Sequence, residues 1–89
     1  MIEDQATICN KLGLHARAAA KFVATASGFE SEIEIEKDGK RVNGKSIMGV
    51  MMLAASKGTN IKLFIDGEDA EDAMIKIKQL IASRFGEDE

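Results

Sequence analysis

SEIEIEKDGKRVNG, residues Ser31–Gly44, alternates apolar and charged side chains with a period of two. Ile33 and Ile35 point one way, and Glu32, Glu34 and Glu36 the other. Asp38–Gly39 is a strong two-residue turn signal, so the stretch reads as a β-hairpin with one apolar face. The glutamates are candidates for a functional acidic cluster, but their strict alternation favours a solvated strand face.

Upstream, Gln5–Cys9 also alternates, with Ala6 and Ile8 on one side, and reads as a strand. Gly13 breaks the pattern. The alanines and Lys21 of Ala16–Ser27 favour helix, with Ala19, Phe22, Val23 and Ala26 on one face and Gly28 as a stop. Downstream, Ser46 is a natural N-cap for a short helix over IMGVMMLAA, closed by SKGTN. IKLFID is a further strand with Ile61, Leu63 and Ile65 inward. GEDAEDAMIKIKQLIASRF is the longest helix, acidic in its first turn as the dipole favours. Its core stripe is Ala70, Ala73, Met74, Ile77, Leu80 and Ile81, and the tail GEDE is expected to fray.

The predicted order is strand, helix, strand, strand, helix, strand, helix. Inward-apolar, outward-polar strands suggest one antiparallel sheet with helices on one face and water on the other. Periodicity alone leaves a partly parallel sheet open.

Composition narrows the function classes. The chain has 89 residues, enough for one domain (1–89), and no linker or internal repeat divides it. It has one cysteine and no proline, which excludes a disulfide framework and makes Cys9 read as a reduced, cytosolic thiol. The longest apolar run is too short for a bilayer, and MIEDQATICN lacks the features of a signal peptide. A cytoplasmic protein with no membrane partner is expected. The net charge of -3 and an aromatic set of four Phe argue against nucleic acid.

The chemistry centres on GLHARAAAKF, Gly13–Phe22, which holds the only histidine. No second histidine or suitably spaced acid accompanies His15, so a metal site is not expected, and no cofactor motif is present. No nucleophile motif for a Ser–His–acid arrangement is present. One reading of His15 is a capping or solvent-exposed imidazole. Three local features favour a second. Gly13 lets the chain turn sharply, His15 lies at a helix N-terminus that favours anions, and Arg17 offers a fork of donors to the same anion. An imidazole is partly neutral near pH 7 and then nucleophilic. These parts suit a group that must accept a phosphoryl.

GLHARAA and NGKSIMGVMMLAASKGT resemble the two signature regions of HPr, the histidine-containing phosphocarrier of the phosphoenolpyruvate-dependent phosphotransferase system. The likeness covers essentially the whole chain, and the second motif looks closest to the nitrogen-related branch, NPr. The resemblance implies an α+β open-faced sandwich: a four-stranded antiparallel sheet with three helices on one face, in the order βαββαβα. It implies that His15 takes a phosphoryl group on Nδ1 from an enzyme I-type phosphotransferase and passes it to a histidine of an IIA-type protein. Arg17 and the backbone of Ala16, Arg17 and Ala18 would hold the phosphoryl. Ser46 would be a regulatory phosphorylation site for a serine kinase in some branches. Ala16, Ala20, Ile47, Met48, Met51 and Met52 would form the docking surface, where adaptable Met contacts suit two different partners. The family usually has Pro where this chain has Ala18, which loosens the first helical turn and adds one donor.

The protein is thus expected to be a monomeric carrier, not an enzyme. Two alternatives stand beside the nitrogen branch. One is a general sugar-transport HPr. The other is a regulatory binding module whose His15 phosphorylation state controls partner proteins. A small-molecule-binding α+β domain would need a concave polar site, for which only His15 and Arg17 are candidates.

Overall fold

A computed structural model describes residues 1–89. Strands β1 (Ile2–Thr7), β2 (Glu32–Lys37), β3 (Lys40–Asn43) and β4 (Asn60–Asp66) form one sheet. Its order is β1-β4-β2-β3, and every neighbouring pair is antiparallel. Helices α1 (Ala16–Ser27), α2 (Ile47–Met52) and α3 (Ala70–Ala82) share one core with it. The antiparallel arrangement implied by the family resemblance is the observed one.

The hairpin forms as its sequence predicts. Asp38 and Gly39 both take positive φ, 51° and 81°, the geometry of a tight two-residue turn. Ile33 and Ile35 are buried and sit opposite Ile65 and Leu63 of β4. With Ile61 they form the floor on which the helices pack. Phe22 of α1, Val50 of α2 and Ile77 of α3 are each fully enclosed above it. On the open face, the Arg41 guanidinium lies 3.6 Å from the centre of the Phe64 ring and covers it.

Several boundaries differ from the sequence reading. Strand β1 spans Ile2–Thr7, not Gln5–Cys9, because it pairs with β4 from Ile2↔Ile65 to Thr7↔Asn60. Asp4 masks the alternation: it is exposed at the sheet edge, where it accepts from Lys78 of α3 at 2.6 Å. Helix α2 stops at Met52 instead of running through IMGVMMLAA, and Ala54 takes φ of 51° and faces solvent. Just past its end, Lys37 of β2 donates to the carbonyls of Leu53 and Ala54, both at 3.1 Å. Helix α3 spans only Ala70–Ala82, and a separate turn, Arg84–Gly86, follows. Its core stripe holds except that Leu80 is half-buried, as is Val23 of α1.

Asp69, just before α3, is a latch between helix and sheet. Its carboxylate accepts from the Ser31 hydroxyl at 2.5 Å, the Ser31 amide at 3.0 Å and the Glu30 amide at 2.9 Å. The Ser31 hydroxyl, then the Glu30 amide, hold this carboxyl below its ordinary value of 3.8. A depressed folded value means the latch is complete above pH 3.8 and is lost as pH falls through the folded value. Asp69→Ala should therefore melt below wild type at neutral pH, with the gap closing as the solution is acidified past that point. Circular dichroism melts across the range check it; a gap independent of pH would remove Asp69 as the titrating latch.

Candidate functional site

The loop before α1 is shaped by close approach. Gly13 takes φ of +66°, and a Cβ there would lie 2.4 Å from the Ala55 carbonyl oxygen. Only glycine fits both constraints. The Leu14 amide then donates to that same oxygen at 2.8 Å, and the Leu14 side chain is buried. Pinned on both sides, the chain delivers the next residue, His15, to the N-cap of α1 in extended conformation.

His15 caps the helix with its own ring: Nδ1 accepts from the Arg17 amide at 3.3 Å. The first intrahelical bond runs from the Ala19 amide to the His15 carbonyl at 2.8 Å. The amides of Ala16, Arg17 and Ala18 therefore precede any intrahelical acceptor. Ala18, at the position where the family motif has Pro, is fully buried, so its methyl group anchors the first turn to the core. The Arg17 guanidinium forms no ion pair; it lines a shallow depression with Lys11, Leu12, Glu87 and Glu89.

The tail read as frayed is folded over this site. Phe85 is fully buried and Glu87 Oε2 meets His15 Nε2, while Glu89 pairs with Lys11 at 3.1 Å. Glu87 Oε1 accepts from Asn10 Nδ2 at 3.0 Å. The Asn10 hydrogen bond is the leading cause that holds the Glu87 carboxyl below its ordinary value of 4.5; burial opposes it, and His15 adds to it. Sequence reasoning missed both residues. Asn10 stands in an unremarkable polar loop, and no periodicity links position 15 to position 87.

The remaining candidates separate into two groups. Ser46 is the N-cap of α2, its hydroxyl accepting from the Gly49 amide at 3.1 Å. Helices α1 and α2 pack side by side, leaving Ala16 and Ala20 of the first exposed. On the second, Ile47, Met48, Met51 and Met52 are 44%, 71%, 38% and 62% exposed, while Val50 and Leu53 are buried. Leu12, in the loop before His15, adds a further exposed apolar side chain that sequence reasoning did not select. No group of three or more potential metal ligands is assembled anywhere in the chain. No helix is long and apolar enough to cross a membrane.

Comparison with known proteins agrees with this geometry. The family described as "PTS HPr component phosphorylation site" matches residues 2–83. The phosphocarrier protein HPr of Neisseria meningitidis serogroup A is 56% identical over 89 residues, covering 100% of both chains. The crystal structure of HPr-C-His from Thermoanaerobacter tengcongensis superposes with a TM-score of 0.96 at 53% identity, covering 100% of each chain. A crystal structure of an HPr dimer from the same organism gives 0.79 at 54% identity, covering 98% of this chain and 100% of that one. An open-faced sandwich that presents one histidine at a helix mouth, with a match along essentially its whole length, places this chain in the HPr family, the phosphocarrier proteins of the phosphotransferase system.

Proposed function

We propose that His15 is the phosphoacceptor, taking the group from an enzyme I-type phosphotransferase and passing it to a histidine of an IIA-type protein. The observation that carries this reading is the placement of Nδ1 against the first turn of α1. A phosphoryl on that nitrogen enters the space governed by the amides of Ala16, Arg17 and Ala18, none of which has an intrahelical acceptor, and by the positive end of the helix. Arg17 extends from the same turn with its guanidinium unpaired, free to fork onto phosphoryl oxygens. The exposed face of Ala16, Ala20, Ile47, Met48, Met51 and Met52 is the docking surface for both partners. Phosphoryl carriage needs one copy of the chain, since every group named belongs to it, and we assign it to the cytoplasm as a monomer.

The wording GKSIMGVMMLAASKGT supports a finer assignment, to a nitrogen-related regulatory phosphotransferase chain. Parallel assays with first enzymes of the sugar and nitrogen types test it. Faster charging by the sugar-type enzyme would reassign the chain to general sugar transport.

Incubation with phosphoenolpyruvate and a first enzyme, read by intact mass, should show one added phosphoryl in wild type and none in a folded His15→Ala variant. The linkage should be acid-labile and base-stable. Arg17→Ala removes a charge-assisted contact worth on the order of 1.5–3 kcal/mol if fully formed, and Arg17→Lys should recover part of the rate. Equal rates in all three forms would show that the amides suffice.

Ser46 combines a cap with a place at the edge of the docking face, and we propose it as a regulatory phosphorylation site for a serine kinase. Ser46→Ala should cost about 1 kcal/mol of stability and transfer normally. Ser46→Asp keeps an acceptor that the dipole favours, so it should be at least as stable as wild type while charging more slowly. Melting curves and initial rates on the three proteins decide it; a fast Ser46→Asp would leave Ser46 as a cap alone.

A further inference from the structure

Two distant segments converge on the side of the His15 ring that faces away from the helix amides. Asn10 is fully buried, and its Nδ2 donates to the Gly13 carbonyl at 2.8 Å and to Glu87 Oε1 at 3.0 Å. One side chain thus ties the turn that presents His15 to the carboxylate that meets it. Glu87 is only 14% exposed and His15 26%. The segment carrying Glu87 is held independently. The Phe85 ring is buried, the Phe85 carbonyl accepts from Lys21 Nζ at 2.7 Å, and the Glu87 amide donates to Arg84 at 2.9 Å.

A neutral imidazole has a single N–H. An ionised carboxylate can only accept, so the nitrogen facing Glu87 carries the proton. Nδ1 accepts from the Arg17 amide, so it carries the lone pair. Contacts on opposite sides of the ring select the same tautomer. We infer that Glu87 is a positioning residue for phosphoryl transfer, held by Asn10: it keeps the imidazole proton on Nε2 and leaves the Nδ1 lone pair as the nucleophile. The inference rests on the reading of His15 as the phosphoacceptor.

The transfer step then needs no proton to leave the ring. The Nδ1 lone pair forms the new N–P bond. The bond from phosphorus to the donor's own carrying group breaks, and its electron pair stays on the donor. The product ring carries phosphorus on Nδ1 and hydrogen on Nε2, which makes it formally cationic. Glu87 faces that N–H, so its attraction strengthens as the phosphoryl arrives, the differential contact that speeds a step.

The test joins a ring spectrum to a rate. NMR of the His15 ring nitrogens, at a pH where the ring is neutral, should place the proton on Nε2 in wild type. Glu87→Ala should retain the fold by circular dichroism and give a tautomer mixture. It should charge more slowly, on the order of tenfold, the effect of one charge-assisted contact. Asn10→Ala should move the ring signals in the same direction; if that variant fails to fold, Glu87→Ala carries the test alone. Ring signals unchanged in Glu87→Ala would overturn the inference, and so would altered signals with an unchanged rate. If wild-type His15 accepts no phosphoryl, the functional reading falls, while the ring spectra still judge the tautomer assignment separately.

Discussion

The architecture depends on one constraint: the sheet has a single apolar face. Ile33, Ile35, Ile61, Leu63 and Ile65 all project to the same side and are nearly or completely buried. Every helix must therefore lie on that side, because only there can an amphipathic stripe leave water. Three helices over four strands crowd the layer, so the loops between them are forced into close approach. The contact of Gly13 with the Ala55 carbonyl is one result. The site is built from that crowding, where the loop entering α1 meets the segment leaving α2 and the turn following α3.

This explains which features were legible in the sequence. The hairpin announced itself because alternation and the Asp38–Gly39 turn are local, and α1 because its alanine-rich run has clear ends. His15, Arg17 and Ser46 were legible for the same reason: each depends on a helix N-terminus a few residues away. What escaped was non-local. Asp4 obscured the start of β1 because its partner, Lys78, is on α3. The carbonyls just past the early end of α2 are held by Lys37, a β2 residue whose charge gave no hint of that contact. Glu87 looked like part of a solvated acidic tail because its attractions come from Asn10 and His15, far back in the chain.

The two sides of the His15 ring have opposite electrostatic character. Nδ1 faces the amide end of α1, which favours negative charge, and Nε2 faces a carboxylate, which favours positive charge. A ring that gains an anionic group on the first side and becomes cationic on the second is matched to both surroundings. Around this polar centre Ile47, Met48, Met51 and Met52 leave an exposed apolar face, and in the function we propose that face would separate the chemistry of the group carried from recognition of the protein that gives or takes it.

The Glu87–His15 contact spans 72 positions in sequence, and β1 pairs with β4 from Ile2↔Ile65 onward. Contacts of such separation form late, because loop-closure entropy must be lost before they contribute. A chain that has made its hairpin and its first helix, but has not yet brought these distant segments together, has His15 without the carboxylate beside it. In the function we propose, the reactive centre is therefore complete only where the two ends of the chain meet, and undocking the turn that carries Glu87 would slow charging without touching His15 itself.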